Sequence, residues 1–156
     1  MSQEISTIEE RLEALFHELV SLLPSGSVGL RVKRAPEISH DGVSIWLTPA
    51  DPHAGMIVAD AKNGDSTITL CVGRHTPIEV LPAGNRTTID TVREICHAVI
   101  DGQFAEDLWL VGSEVTKCVG TLEYGDRCHV FRYWGRVFPL RKKERVHIQY
   151  GPYARK

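Results

Sequence analysis

Between Val28 and Val72 the chain changes character at every second residue, and this constrains its fold more than any other feature. Val28, Leu30 and Val32 alternate with Gly29, Arg31 and Lys33. Val43, Ile45 and Leu47 alternate with Ser44, Trp46 and Thr48, and Ile68, Leu70 and Val72 with Thr67, Thr69 and Cys71. Period two with one apolar side belongs to strands that bury one face of a sheet. Asp41-Gly42 and Asn63-Gly64 are expected as tight-turn centres, because these residues tolerate positive φ. "MIVADAK" before Asn63-Gly64 is then a strand paired with "STITLCV".

Two segments follow a helical period instead. In "STIEERLEALFHELVSLLP" the apolar residues Ile8, Leu12, Leu15, Phe16, Leu19, Leu22 and Leu23 recur in steps of three and four, forming one stripe. Ser6 or Thr7 caps it, with Glu9 or Glu10 completing a capping box, and Pro24 and Gly26 stop it. Ile89, Val92, Ile95, Cys96, Val99 and Ile100 form the apolar face of a second helix, capped at Thr87 or Thr88 and stopped at Gly102. Asp90 lies in its first turn, where the helix dipole favours an anion. "QFAEDLWLVG" reads as a turn or short helical extension leading into a strand.

The last third returns to β. "VTKCVGTLEY" and "RCHVFRYW" flank a Gly125-Asp126 hairpin centre, and "RVFPL" and "RVHIQY" flank "RKKE". Val137, Phe138, Val146, Ile148 and Tyr150 are expected in the core. The order of elements, at 156 residues with 42% hydrophobic content, predicts one α+β domain over residues 1–156. Its expected architecture is a mainly antiparallel sheet of six to eight strands with two amphipathic helices on one face. No apolar run approaches the roughly 18 residues that cross a bilayer. The acidic N-terminus does not read as a secretory signal. A cytoplasmic protein without membrane contact is expected.

Charge is unevenly spread. Arg127 to Lys156 holds nine Lys/Arg and one acid, Glu144, for +8; the remainder holds nine and nineteen, for −10. Within the basic part, "RYWGRVFPLRKKERVHIQY" sets six basic residues among Tyr, Trp and Phe. One reading is a nucleic-acid surface in which Arg132, Tyr133, Trp134, Arg136, Arg141, Lys142, Lys143 and Arg145 track phosphates and stack on bases. The other is a hairpin with a polar turn, whose arginines occupy the solvent face and protect a sheet edge. The domain as a whole is not basic, and the aromatic-glycine RNA-recognition pattern is missing; both weigh against the first reading.

The chemistry-bearing residues are scattered. Cys71, Cys96, Cys118 and Cys128 contain no CxxC, as expected of buried thiols in a reducing compartment. Cys-His neighbours such as Cys128-His129 point to opposite faces of a strand, so no metal or cofactor is expected. No nucleophile-elbow, phosphate-loop, dinucleotide or metalloprotease motif occurs. Glu106-Asp107 beside Trp109 is the best candidate acid pair, since an apolar neighbour can raise a carboxyl pKa.

Trp46 projects from the sheet face opposite Val43, Ile45 and Leu47. Were it joined by Tyr133 or Trp134, that face would become an aromatic patch rimmed by arginine, the composition that interfaces favour. The leading expectation is a non-catalytic protein-binding module acting through the open face or edge of its sheet. In size and fold it looks like small inhibitor or immunity proteins, an analogy that no motif carries. The expected partner is another protein or a second copy forming a homodimer. Nucleic-acid binding through the C-terminal hairpin is the second reading, and a small enzyme the third.

Overall fold

The computed structural model describes residues 6–124, 126–136 and 141–154. Helix α1 (Ile8–Ser21) begins where Thr7 accepts the Glu10 N–H at 3.2 Å and Glu10 accepts the Thr7 N–H at 2.9 Å, so the second of the two expected capping boxes forms. Helix α2 (Thr88–Ile100) uses the same device, with Thr87 as cap and Asp90 closing the box. It ends at Gly102, whose φ of +79° suits glycine, and a Cβ there would meet the Pro152 nitrogen at 2.7 Å.

The fold is α+β with antiparallel pairing, as expected; among the described residues nine strands form two antiparallel sheets in place of one sheet of six to eight. The first contains β1 (Val28–Arg34), β2 (Gly42–Pro49), β3 (Ile57–Lys62), β4 (Ile68–Val72) and β5 (Thr76–Val80), in chain order. The second contains β6 (Phe104–Val111), β7 (Glu114–Tyr124), β8 (Arg127–Trp134) and β9 (Glu144–Gln149), in the order β8-β7-β6-β9. Three consecutive strands followed by a fourth beside the first make a Greek key. "RVHIQY" therefore pairs with β6 across the sheet, in register from Ala105↔Gln149 to Leu110↔Glu144. Val137, Phe138 and the rest of residues 137–140, and Gly125 of the expected Gly125-Asp126 hairpin centre, lie outside the described residues.

Asn63-Gly64 does form the β3–β4 turn, with Gly64 at φ +75°. Asp41-Gly42 is not a hairpin centre. The β1–β2 connection runs over residues 35–41, and Gly42 opens β2 so close to β3 that a Cβ would strike the Ala61 carbonyl.

The alternating apolar residues of β2, β3 and β4 are all fully buried. α1 lies against β1, β2 and β3, burying Leu12, Leu15, Phe16 and Leu19. α2 lies against β4 and β5 and against β7 of the second sheet, so both sheets share one core that includes Phe104, Leu122 and Tyr150. The two sheets are also joined by a buried carboxylate. Glu106, on the inner face of β6, is 0% exposed. It accepts the Arg74 N–H at 2.8 Å, the His75 N–H at 2.9 Å, the Thr76 hydroxyl at 2.8 Å and the Tyr150 hydroxyl at 2.5 Å. Three of these donors belong to the β4–β5 turn and the start of β5. This hydrogen-bond set satisfies the burial requirement of a carboxylate that enters no ion pair among the described residues.

Candidate binding face

In β6 the inward residues are Phe104, Glu106 and Leu108, so Ala105, Asp107 and Trp109 face outward. The register extends this outer face across the sheet. Trp109 lies beside Lys117 on β7 and Arg145 on β9, and Lys117 lies beside Trp134 on β8. One row therefore reads Trp134, Lys117, Trp109, Arg145, alternating ring and cation. The Lys117 ammonium stands 4.5 Å from the centroid of each tryptophan, and the Arg145 guanidinium carbon 5.4 Å from that of Trp109. A cation within about 6 Å of a ring centroid is attracted by the ring quadrupole.

The next row reads Arg132, Val119, Asp107, His147. Asp107 accepts two bonds from Arg145, at 3.0 and 3.2 Å, and stands 3.0 Å from His147 Nδ1. Partial burial raises its pKa, but the hydrogen bonds and charges of His147 and Arg145 outweigh that and hold it below the usual carboxylate range. Asp107 thereby fixes Arg145, and Arg145 braces Trp109.

The face gathers three of the residues singled out from sequence: Trp134, which is 65% exposed, Arg132 and Arg145. Arg136 is exposed just beyond β8, and Arg141, Lys142 and Lys143 are exposed on the approach to β9. Tyr133 belongs to the opposite face of β8, because it pairs with the inward Cys118. Trp46 does not join the patch. It sits on β2 of the other sheet, half-buried, with the Lys33 ammonium 5.2 Å from its ring. The outer face of that sheet is partly closed: Ser44 is 4% exposed and bonds to Asp60, which His40 of the β1–β2 connection also approaches.

Lys117, Trp109, Asp107 and His147 are the members that sequence reasoning did not assign to the face. The signal was present in "FAEDLWLV", whose alternation places Asp107 and Trp109 opposite Phe104 and Leu108 once it is read as a strand. The expected acid pair is split by the same alternation: Asp107 points outward, and Glu106 points into the core with both oxygens engaged. Two of the thiols are withdrawn by burial. Burial pushes Cys96 up to about 12. Burial also pushes Cys118 up, to about 11, opposed by a Thr76 hydrogen bond and reinforced by the Glu106 charge. Among the described residues no three His, Cys, Asp or Glu side chains gather as a metal-ligand set, and no helix is long and apolar enough to cross a membrane. Searches of protein-family models, curated proteins and solved structures find no match to this chain.

Proposed function

We propose that this protein is a non-catalytic binding module that engages an acidic protein partner through the outer face of the four-stranded sheet. The observation that carries this reading is the row Trp134, Lys117, Trp109, Arg145. Aromatic residues and arginine are enriched in interface cores, and well-packed anchors of this kind supply most binding energy. Strand pairing sets the row on a rigid sheet, so little side-chain freedom is lost on association. The basic C-terminal segment surrounds it with Arg132, Arg136 and the 141–143 cluster, which steers an acidic partner.

A platform for stacked bases is less well served by this geometry. Lys117 and Arg145 approach Trp109 from its two flanking strands, and Lys117 also approaches Trp134, so a protein cation already lies near each ring. Two copies meeting through this face would oppose Lys117, Arg132 and Arg145 to themselves, so the proposed partner is a different, acidic chain.

The test is affinity capture from lysate of the source cells with wild type, Trp134→Ala, Lys117→Glu and Trp46→Ala baits, each checked by circular dichroism. Acidic proteins captured by wild type and Trp46→Ala, and lost by the first two variants, are expected. Equal capture by all four baits refutes the assignment. Recovery of nuclease-sensitive nucleic acid in place of protein would favour the phosphate-binding alternative.

A further inference from the structure

On the opposite side of the four-stranded sheet, where it meets the β4–β5 turn, lies a cleft of about 640 Å³. Two local devices build it. The first is Glu106, whose bonds to the Arg74 and His75 N–H groups hold the turn in one conformation. Gly73 makes this approach possible: its φ is +66°, and a Cβ there would meet the Glu106 oxygen at 2.6 Å. The side chains of Arg74 and His75 are thereby set at the cleft, both exposed.

The second device is a β-bulge. Trp109 pairs with Lys117, but Leu110 pairs with Val115, so Thr116 is one extra residue on β7. Strict alternation from Lys117 would turn Val115 outward. The extra residue returns it to the face of Leu110, and both line the cleft with Leu108 and Met56. The Thr116 hydroxyl donates to the Trp109 carbonyl at 3.0 Å, which steadies the bulge.

The cleft thus has an apolar wall and a cationic rim. No Asp or Glu is among the described residues that line it. Arg74 and His75 enter no ion pair among the described residues. The Tyr150 hydroxyl, also at the cleft, is already donated to Glu106. A ligand that completes this arrangement carries one negative head group on an apolar body. We propose that the cleft binds a small aliphatic carboxylate, its head group at Arg74 and His75 and its chain against Leu108, Leu110, Val115 and Met56. Arg74 suits this role because a guanidinium grips a carboxylate through two parallel hydrogen bonds.

The test is a titration of the ¹⁵N-labelled full chain with butanoate, hexanoate and octanoate, followed by amide shifts. Shifts confined to Arg74, His75, Leu110, Ser113 and Val115 are expected, with affinity rising roughly fourfold per added methylene. Octanol and octylammonium should bind at least about tenfold more weakly than octanoate. Arg74→Gln, whose side chain is exposed and whose backbone bond to Glu106 is retained, should lose about tenfold for octanoate. Leu110→Lys should abolish the chain-length dependence. The proposal is overturned if octanoate leaves those amides unmoved at millimolar concentration, if octanol binds as well, or if Arg74→Gln binds octanoate like wild type. None of these results bears on the outer face, which the capture experiment tests separately.

Discussion

Replacing Glu106 by Gln changes one oxygen to an amide and little else in shape, so it isolates the hydrogen bonding of the buried carboxylate. Glu106 receives four donors within 2.9 Å, two at each oxygen: the Arg74 N–H and Tyr150 hydroxyl at one, the His75 N–H and Thr76 hydroxyl at the other, where the Cys118 thiol also donates weakly at 3.9 Å. A glutamine offers one oxygen and one NH₂. Whichever way the amide is turned, the NH₂ faces one hydroxyl and one backbone N–H. The hydroxyl can rotate and accept instead. The backbone N–H cannot, and it is left buried and unpaired. That orphan costs about 1–3 kcal/mol, and each lost bond to a charged acceptor about 1.5–3 kcal/mol. Glu106→Gln is therefore expected to destabilise by about 3–5 kcal/mol. At roughly 2–4 °C per kcal/mol for a chain of this size, Tm falls by roughly 6–20 °C. Tyr150→Phe removes one donor and leaves the others in place, so about 1.5–3 kcal/mol is expected. Urea and thermal unfolding followed by far-ultraviolet circular dichroism measure both. The reasoning fails if Glu106→Gln is within experimental error of wild type, or if Tyr150→Phe is the more damaging of the two.

Three further outcomes follow from the same geometry. Gly120→Ala places a Cβ 2.5 Å from Thr76 Oγ1, forcing the sheets apart, and should cost about 1–3 kcal/mol in the same unfolding assay. Asp107 has a folded pKa below its ordinary value, so its contribution to stability is present above the unfolded carboxylate pKa and is lost as pH falls through the folded one; Asp107→Asn should flatten that acid limb in a pH series of urea midpoints. Cys128 is exposed, whereas the other three thiols are raised, first by burial. Iodoacetamide at mildly alkaline pH, followed by mass spectrometry, should therefore label Cys128 rapidly and the others only after denaturation.

The helix ends and strands β1 to β4 were legible because each follows from a local rule. Thr87 followed by Asp90 is a cap wherever it precedes an apolar stripe, and Val43, Ile45 and Leu47 alternate in plain view. Two strands were hidden for opposite reasons. β5 contains Pro77, which argues against a strand in any sheet interior; it is tolerated because β5 is an edge strand. β6 places an acid at an inward position, and only the β4–β5 turn, some thirty residues earlier, explains why Glu106 can be buried there. The division into two sheets was also beyond local reading. Periodicity says which face of a strand is buried, but not which strand lies beside it, and β9 finds β6 across a Greek-key connection. The separation of Trp46 from Trp134 follows from that division. For the same reason the basic C-terminal segment was recognised while its partners Trp109 and Lys117 were not.

The position of β9 also bears on how the molecule is made. Arg145, which braces Trp109, and Tyr150, which completes the Glu106 hydrogen bonds, both enter by adding to an edge of strands synthesised earlier. A ribosome-bound chain halted before Glu144 would carry both tryptophans but lack the brace and the final clamp. The proposed binding row and the Glu106 hydrogen-bond set are therefore complete only in a chain that includes β9 and Tyr150.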